Sequence, residues 1–158
     1  MKDISNILKR LSYGIYVVTM GDGTKGNAFT ASWVMQVSSE PPMIAVAVHN
    51  KHQSSHLLKT GGAFVVNLIG KGQDEVVKAY YGPAESGYEK LQGTSVTDSP
   101  ATKTPLIPGA IGFLDCQITE TVKAGNHTIF IGEVKASELD DNTTELLTTS
   151  NSKMHYIG

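Results

Sequence analysis

The stretch from Gly26 to Pro42, GNAFTASWVMQVSSEPP, gathers an Asn, several small hydroxyl residues and the only Trp of the chain between two apolar runs. Thr30, Ala31 and Ser32 are small enough to let a flat ring approach the backbone closely, and their amides and hydroxyls can bond the ring's polar edge. Trp33 supplies a stacking face. These properties suit a cofactor seat, and they equally suit a half-exposed strand that uses Trp as a core plug. A second group, Asn50-Lys51-His52-Gln53-Ser54-Ser55, sits where a strand hands over to a helix. Free backbone N–H groups, two hydroxyls and an ammonium there outline an anion site, as helix N-termini bind phosphate through unsatisfied amides and the dipole. An ordinary Ser N-cap is the competing use of the same residues. His127 follows a Gly-Asn pair at a hairpin tip, where a side chain can lean over a neighbouring pocket or remain a surface histidine.

Other chemistries fit less well. Gly21-Asp22-Gly23-Thr24-Lys25-Gly26 matches G-x-G-x-x-G letter for letter. A dinucleotide fingerprint must open a helix, whereas Asn27 to Val37 has no apolar stripe at helical spacing and several poor helix formers; the Asp-Gly pair predicts a hairpin turn instead. His52 and His56, four apart, could share a helix face as zinc ligands do. No Glu stands beside His52 and no Cys pair or third ligand is evident, so no metal is expected. The single Cys116 cannot pair within the chain, and its setting GFLDCQITETV reads as the interior of a strand, which predicts an inert buried thiol.

The elements that must position these groups follow from periodicity. Ile4, Ile7, Leu8 and Leu11 recur at helical spacing behind Asp3, which predicts a short amphipathic helix lying as a lid on the barrel. GIYVVTM (14–20), MIAVAV (43–48) and AFVVNLI (63–69) are β-branched and too short for helices, so they read as buried strands. Leu57 and Leu58 belong to a short helix ended by Gly61-Gly62. Val76, Val77, Tyr80 and Tyr81 form a helical face stopped by Gly82-Pro83. Residues 84–109 are irregular and expected to cover a site. Strands at 110–122 and 128–135 are joined by a hairpin through Gly125-Asn126. Residues 137–149 are expected to form a loop and a short helix through Glu145, Leu146 and Leu147. At least six strands, with helices too scattered to alternate as βαβ units, predict a mainly β fold: an antiparallel barrel with a few short helices.

Composition narrows the function classes. A chain of 158 residues fits one domain, and at that size about 68–70% of the unfolded surface can be buried without disulfides. Lys and Arg total 13 against 15 Asp and Glu, with no basic block, so nucleic acid is not an expected partner. The N-terminus mixes charge into its apolar pattern and no apolar run approaches bilayer length, so a soluble cytoplasmic protein, not a membrane protein, is the default expectation.

Several landmarks recur in a fixed order: Tyr16-Val17-Val18-Thr19, Asn27 with Thr30-Ala31-Ser32-Trp33, Val37-Ser38 with Pro41-Pro42, Phe64-Val65-Val66-Asn67-Leu68, Pro105-Leu106, and Gly125-Asn126-His127 with Ile131-Gly132-Glu133-Val134. In that order and spacing the chain resembles, over nearly its whole length, the flavin reductase-like family with an FMN-binding split barrel, most closely its flavoredoxin-type and NAD(P)H:flavin oxidoreductase members. The resemblance implies a Greek-key split barrel and a homodimer binding FMN, or FAD, non-covalently near the dimer interface. It also implies NADH or NADPH as cosubstrate and a flavin, iron or redox-protein acceptor, with a flavoredoxin-like electron carrier as the alternative. Carried over by residue, Asn27 and Thr30, Ala31, Ser32 and Trp33 would contact the isoalloxazine ring. Asn50, Lys51, Gln53, Ser54 and Ser55 would hold the phosphate end, with Lys90 a further contact. His127, near the flavin and the nicotinamide path, is the catalytic candidate. Many members have Gly-Asp-His where this chain has Gly-Asn126-His127, which removes a carboxylate that would orient the ring or raise its pKa.

Overall fold

The computed structural model describes residues 3–21, 26–82, 91, 93–140 and 144–154. The expected apolar runs form strands: β1 Tyr16–Met20, β4 Pro42–His49, β5 Ala63–Leu68, β8 Gly112–Ala124 and β9 His127–Leu139. The polar stretch between β1 and β4 is itself two strands, β2 Asn27–Ala31 and β3 Val34–Ser39. Helices α1 Ile4–Leu8, α2 Gln53–Gly61 and α3 Asp74–Lys78 and the short strands β6 Thr97–Asp98 and β7 Pro105–Leu106 complete the elements of the described residues.

Seven strands form one sheet in the order β2-β1-β5-β8-β9-β4-β3, with every neighbouring pair antiparallel. Its two end strands, β2 and β3, are consecutive in the chain and separated only by Ser32 and Trp33. The Cα atoms of Ala31 and Val34 are therefore at most about 11 Å apart, whereas the outer strands of a flat seven-stranded sheet lie about 29 Å apart. The sheet must curl until its ends meet, which makes it a barrel. Register shifts between Asp115 and Cys116 and between Ile118 and Glu120 on β8 fall where the longest strands bend around it.

Alternation along β1 and β2 sends side chains to two cores. Val18, Met20 and Phe29 point inward with Ile44, Val46, Phe64, Val66, Cys116 and Phe130, and Leu58 of α2 joins this cluster. Val17 and Ala28 point outward and pack with Ile69, Val77, Tyr80, Ile107 and Leu147. Both faces of these strands are covered, which is why their sequences are continuously apolar. Inside the barrel, burial and the neighbouring Asp115 push the Cys116 thiol up to about 12, an unreactive state consistent with its expected role. Gly62 ends α2 in the left-handed conformation, φ 69°, as its Gly-Gly pair predicts.

Two expectations are corrected, and a third, for residues 84–109, meets the structure only over residues 91 and 93–109, the rest lying outside the described residues. Helix α1 forms, with the Asp3 side chain accepting from the Ser5 amide, but it does not lie as a lid on the described residues of the barrel: Ile4, Ile7, Leu8 and Leu11 are all exposed. No helix forms through Glu145 to Leu147. β9 continues to Leu139, and Leu147 is held extended, its amide donating to the Ile69 carbonyl and its own carbonyl accepting from the Ile15 amide, because its side chain fills the outer core. The described part of the irregular segment is strapped to the outside of the sheet and does not cover the cleft described below. The Asp115 carboxylate accepts from the amides of Ala101 and Thr102, Thr19 Oγ1 donates to the Pro105 carbonyl, and Asn67 Oδ1 accepts from the Ile107 amide. The hairpin pairing expected around Asp22-Gly23 is present, Met20 opposing Asn27, while the turn residues 22–25 lie outside the described residues. Among the described residues no helix is long and apolar enough to cross a membrane.

Gly132 marks a tight approach inside the barrel. A Cβ there would sit 2.8 Å from Phe64 Cε1 and 2.9 Å from Cys116 Cβ. Gly132→Ala is expected to destabilise the fold by about 1–3 kcal/mol through overpacking. Urea unfolding checks this; a midpoint unchanged from wild type would show that the core yields freely.

Candidate functional site

A cleft of about 340 Å³ opens at the corner where β2 passes into β3. Its walls are Phe29 to Trp33 of that corner, Ala47 to His49 of β4, His52 at the head of α2, and Tyr80, Tyr81 and Gly82 beyond α3. The volume is in the range of small-molecule sites. In and beside it, among the described residues, stand four buried polar atoms without a hydrogen-bond partner: Asn27 Oδ1, Ser32 Oγ, Ser55 Oγ and His127 Nε2. Leaving such a group unsatisfied costs about 1–3 kcal/mol, so four of them clustered at one corner mark a place built for a polar ligand.

The elements bring these groups together by register. β4 pairs with β9 so that His49 faces His127 across the ladder, their rings 5.1 Å apart edge to face. Trp33 lies over His127 with ring centroids 4.8 Å apart. Asn27 Nδ2 donates to Ser54 Oγ at 3.2 Å, tying β2 to the first turn of α2 and leaving Oδ1 free to accept. His52, not a serine, is the N-cap: its ring accepts from the Ser54 amide and its carbonyl from the Ser55 amide.

Residues 8–158 match the flavin reductase like domain family. The chain belongs to that family. It is 31% identical over 80% of its length to "FMN reductase (NADH) RutF" of Ancylobacter novellus, covering 69% of that protein. It is 30% identical over 80% of its length to the "High molecular weight rubredoxin" of Moorella thermoacetica. The chain spans 56% of the Moorella protein and only 23% of another curated relative that it matches. Among solved structures, an NADH:FAD oxidoreductase from Streptomyces globisporus superposes with a TM-score of 0.83 at 24% identity, over 92% of this chain and 85% of that one. That likeness bears on the fold, and the barrel derived above is the split barrel of the flavin reductase family.

Against that family pattern, the expected ring-contact residues Thr30, Ala31, Ser32 and Trp33 line the cleft, and Asn27 stands beside it. Thr30 does not offer its polar groups to a ligand, however. Its hydroxyl donates to the Val77 carbonyl at 2.5 Å and its amide to the Tyr80 carbonyl at 3.2 Å, so it ties β2 to the C-terminal end of α3. At the expected phosphate end, several amides are already engaged: Asn50 donates to the Asn126 carbonyl, Lys51 to His49 Nδ1, and Ser54 and Ser55 to His52. Ser55 Oγ, 1% exposed as a residue, and the exposed Lys51 side chain are the groups best placed to meet an anion there; Gln53 is exposed and Asn50 Oδ1 accepts from Thr128. Lys90 lies outside the described residues. Among the described residues no three His, Cys, Asp or Glu gather as a metal site.

His127 is the first residue of β9 and buried, not a tip histidine on the surface. Asn126 supplies the orientation that the missing carboxylate would have provided: its Oδ1 lies 2.7 Å from His127 Nδ1. With the proton on Nδ1, Nε2 presents a lone pair to the site. Burial first, then the neighbouring His49, holds the His127 pKa below its ordinary value, and Asn126 brings no negative charge to raise it. His49, Tyr80 and Tyr81 are site residues that the sequence reading missed. The signal for His49 was its place at the end of a buried strand beside the candidate phosphate turn, and for the tyrosines an aromatic pair directly before a helix-stopping Gly.

The imidazole of His127 is expected to titrate with a midpoint below 6.5, measurable by NMR of the histidine ring. The folded protein binds this proton less readily than the unfolded chain, so the neutral ring's contribution to stability is present above pH 6.5 and is lost as the pH falls below it. A midpoint above the ordinary value would contradict the neutral, Asn-oriented ring.

Proposed function

We propose that this protein is an FMN-binding flavoprotein that accepts hydride from NADH or NADPH and passes the electrons to a flavin, iron or protein acceptor. The observation that carries this reading is the set of four unpartnered buried atoms, Asn27 Oδ1, Ser32 Oγ, Ser55 Oγ and His127 Nε2, around a cleft with Trp33 in its wall. Their chemistry fits a flavin. Asn27 Oδ1 and His127 Nε2 accept from the imide or amine N–H of a flat ring, Ser32 Oγ donates to a ring carbonyl, and Trp33 offers an apolar face. Ser55 Oγ and Lys51, at the head of α2, suit a terminal phosphate. Bound FMN supplies the two-electron chemistry; the chain's residues bind, orient and shield it. His127, neutral and held by Asn126, serves as a positioned acceptor and not as a strong acid.

The relatives agree with this direction, one bearing the name of an NADH-dependent FMN reductase. A second reading has FMN staying bound and shuttling electrons between proteins, and the relative named as a rubredoxin favours it. The protein is also proposed to work as a homodimer. The apolar side chains of Ile4, Ile7, Leu8 and Leu11 on and after α1, and of Met35 and Val37 on the end strand β3, are exposed in the single chain and form faces that a second copy would cover. Sedimentation at the mass of one 16.9 kDa chain would remove the dimer from the account.

The deciding experiment adds FMN to the purified protein under anaerobic conditions and titrates NADH and then NADPH while following the visible spectrum. Bleaching of the bound flavin by either nucleotide within seconds is the expected result. Slow bleaching by both, with fast reduction by a reduced rubredoxin or ferredoxin, selects the carrier. Failure to take up FMN at micromolar concentration rejects both.

A further inference from the structure

Tyr81 has no role in holding the flavin as described above, yet its setting is unusual. Among the large hydrophobic side chains exposed in the described residues it is the single aromatic, at 52%, and the one that lines the cleft. The backbone that carries this ring is anchored. Tyr80 beside it is buried in the outer core. The Val77 carbonyl, which also accepts from the Tyr80 amide, accepts from the Thr30 hydroxyl, and the Tyr80 carbonyl accepts from the Thr30 amide. The Tyr81 amide itself donates to the Lys78 carbonyl at 3.3 Å. Thr30 lies one residue before Ala31 and three before Trp33, so the same strand that presents the ring seat also sets where Tyr81 stands.

The cleft is therefore graded. Its unpartnered polar atoms, in and beside it, are buried, while Tyr81 stands exposed at its rim. A ligand that satisfies the buried groups fills the floor first, and the rim ring meets whatever flat group arrives afterwards. Building on the flavoprotein reading above, we propose that Tyr81 is a binding residue for the transient second ring, the pyridine nucleotide, and not for the resident flavin. Thr30 is its positioning residue: its two hydrogen bonds keep the rim ring in register with the seat.

The test compares wild type, Tyr81→Ala and Tyr81→Phe, each loaded with FMN. FMN affinity is read first, by quenching of flavin fluorescence, and reduction by NADH and NADPH is then followed to give KM and kcat separately. Tyr81→Ala is expected to raise the KM of the preferred nucleotide about two- to tenfold, the range of a lost aromatic contact, with kcat and FMN affinity within about twofold of wild type. Tyr81→Phe is expected to restore the KM, since stacking needs the ring and not the hydroxyl. An unchanged KM in an FMN-loaded Tyr81→Ala protein overturns the assignment, as does a fall in FMN affinity without a change in KM. Wild-type protein that takes up FMN but is reduced by neither nucleotide also overturns it, because no second ring then docks. Wild-type protein that takes up no FMN sinks the flavoprotein reading itself, and is recognised before any variant is compared.

Discussion

Two residues close the barrel, and the rest of the molecule depends on that closure. β2 and β3 lie at opposite ends of the strand order and yet are joined only through Ser32 and Trp33. The sheet has to bring its ends together at this corner, and the Trp33 carbonyl accepts from the Ala47 amide on β4 to hold it there. A corner of this kind cannot continue either ladder, so the chain's small residues and its one indole are left facing a gap. Because β4 also pairs with β9, the gap is where His49 and His127 arrive. The site is a consequence of closure and needs no separate scaffold.

What fills the gap is decided by electrostatics that are almost uncharged. The atoms waiting for partners are an amide oxygen, two hydroxyls and one imidazole nitrogen, and His127 is kept neutral by burial and by His49. A neutral, partly apolar pocket with a few fixed donors and acceptors favours a planar heterocycle over a metal or a highly charged substrate. Among the described residues, Lys51 at the head of α2 is the charged group proposed for the phosphate. Asn126 fits this balance: the ring of His127 stays oriented, by a 2.7 Å contact, without acquiring an adjacent negative charge.

Much of this is legible in the sequence. The β-branched runs marked β1, β4, β5, β8 and β9, the Gly61-Gly62 pair marked the end of α2, and the lack of helical periodicity after Gly26 argued against a dinucleotide loop. The hidden parts share a cause: they depend on partners distant in sequence. β2 and β3 carry too little apolar pattern to be separated at Ser32-Trp33, because the break is imposed by barrel closure. Thr30 reads as a ligand contact until the carbonyls of Val77 and Tyr80 are seen to take its donors. Tyr80 and Tyr81 share one helical stripe in sequence, but the helix stops at Lys78, so both reach the cleft, the first buried against the outer core and the second exposed. Leu147 looks helical among acidic neighbours and is extended because the outer core needs it. The apolar stripe of α1 is plain in sequence, while what it faces is not, since nothing within the described chain covers it.

A crystal structure of the protein with FMN tests most directly the proposal that the unpartnered atoms at the barrel corner are flavin contacts. The predicted result places the isoalloxazine ring at the Ser32-Trp33 corner, with Asn27 Oδ1, Ser32 Oγ and His127 Nε2 each within hydrogen-bond distance of its polar edge and the phosphate at Ser55 and Lys51. A flavin bound elsewhere, or at this corner with those atoms still unpaired, would contradict it.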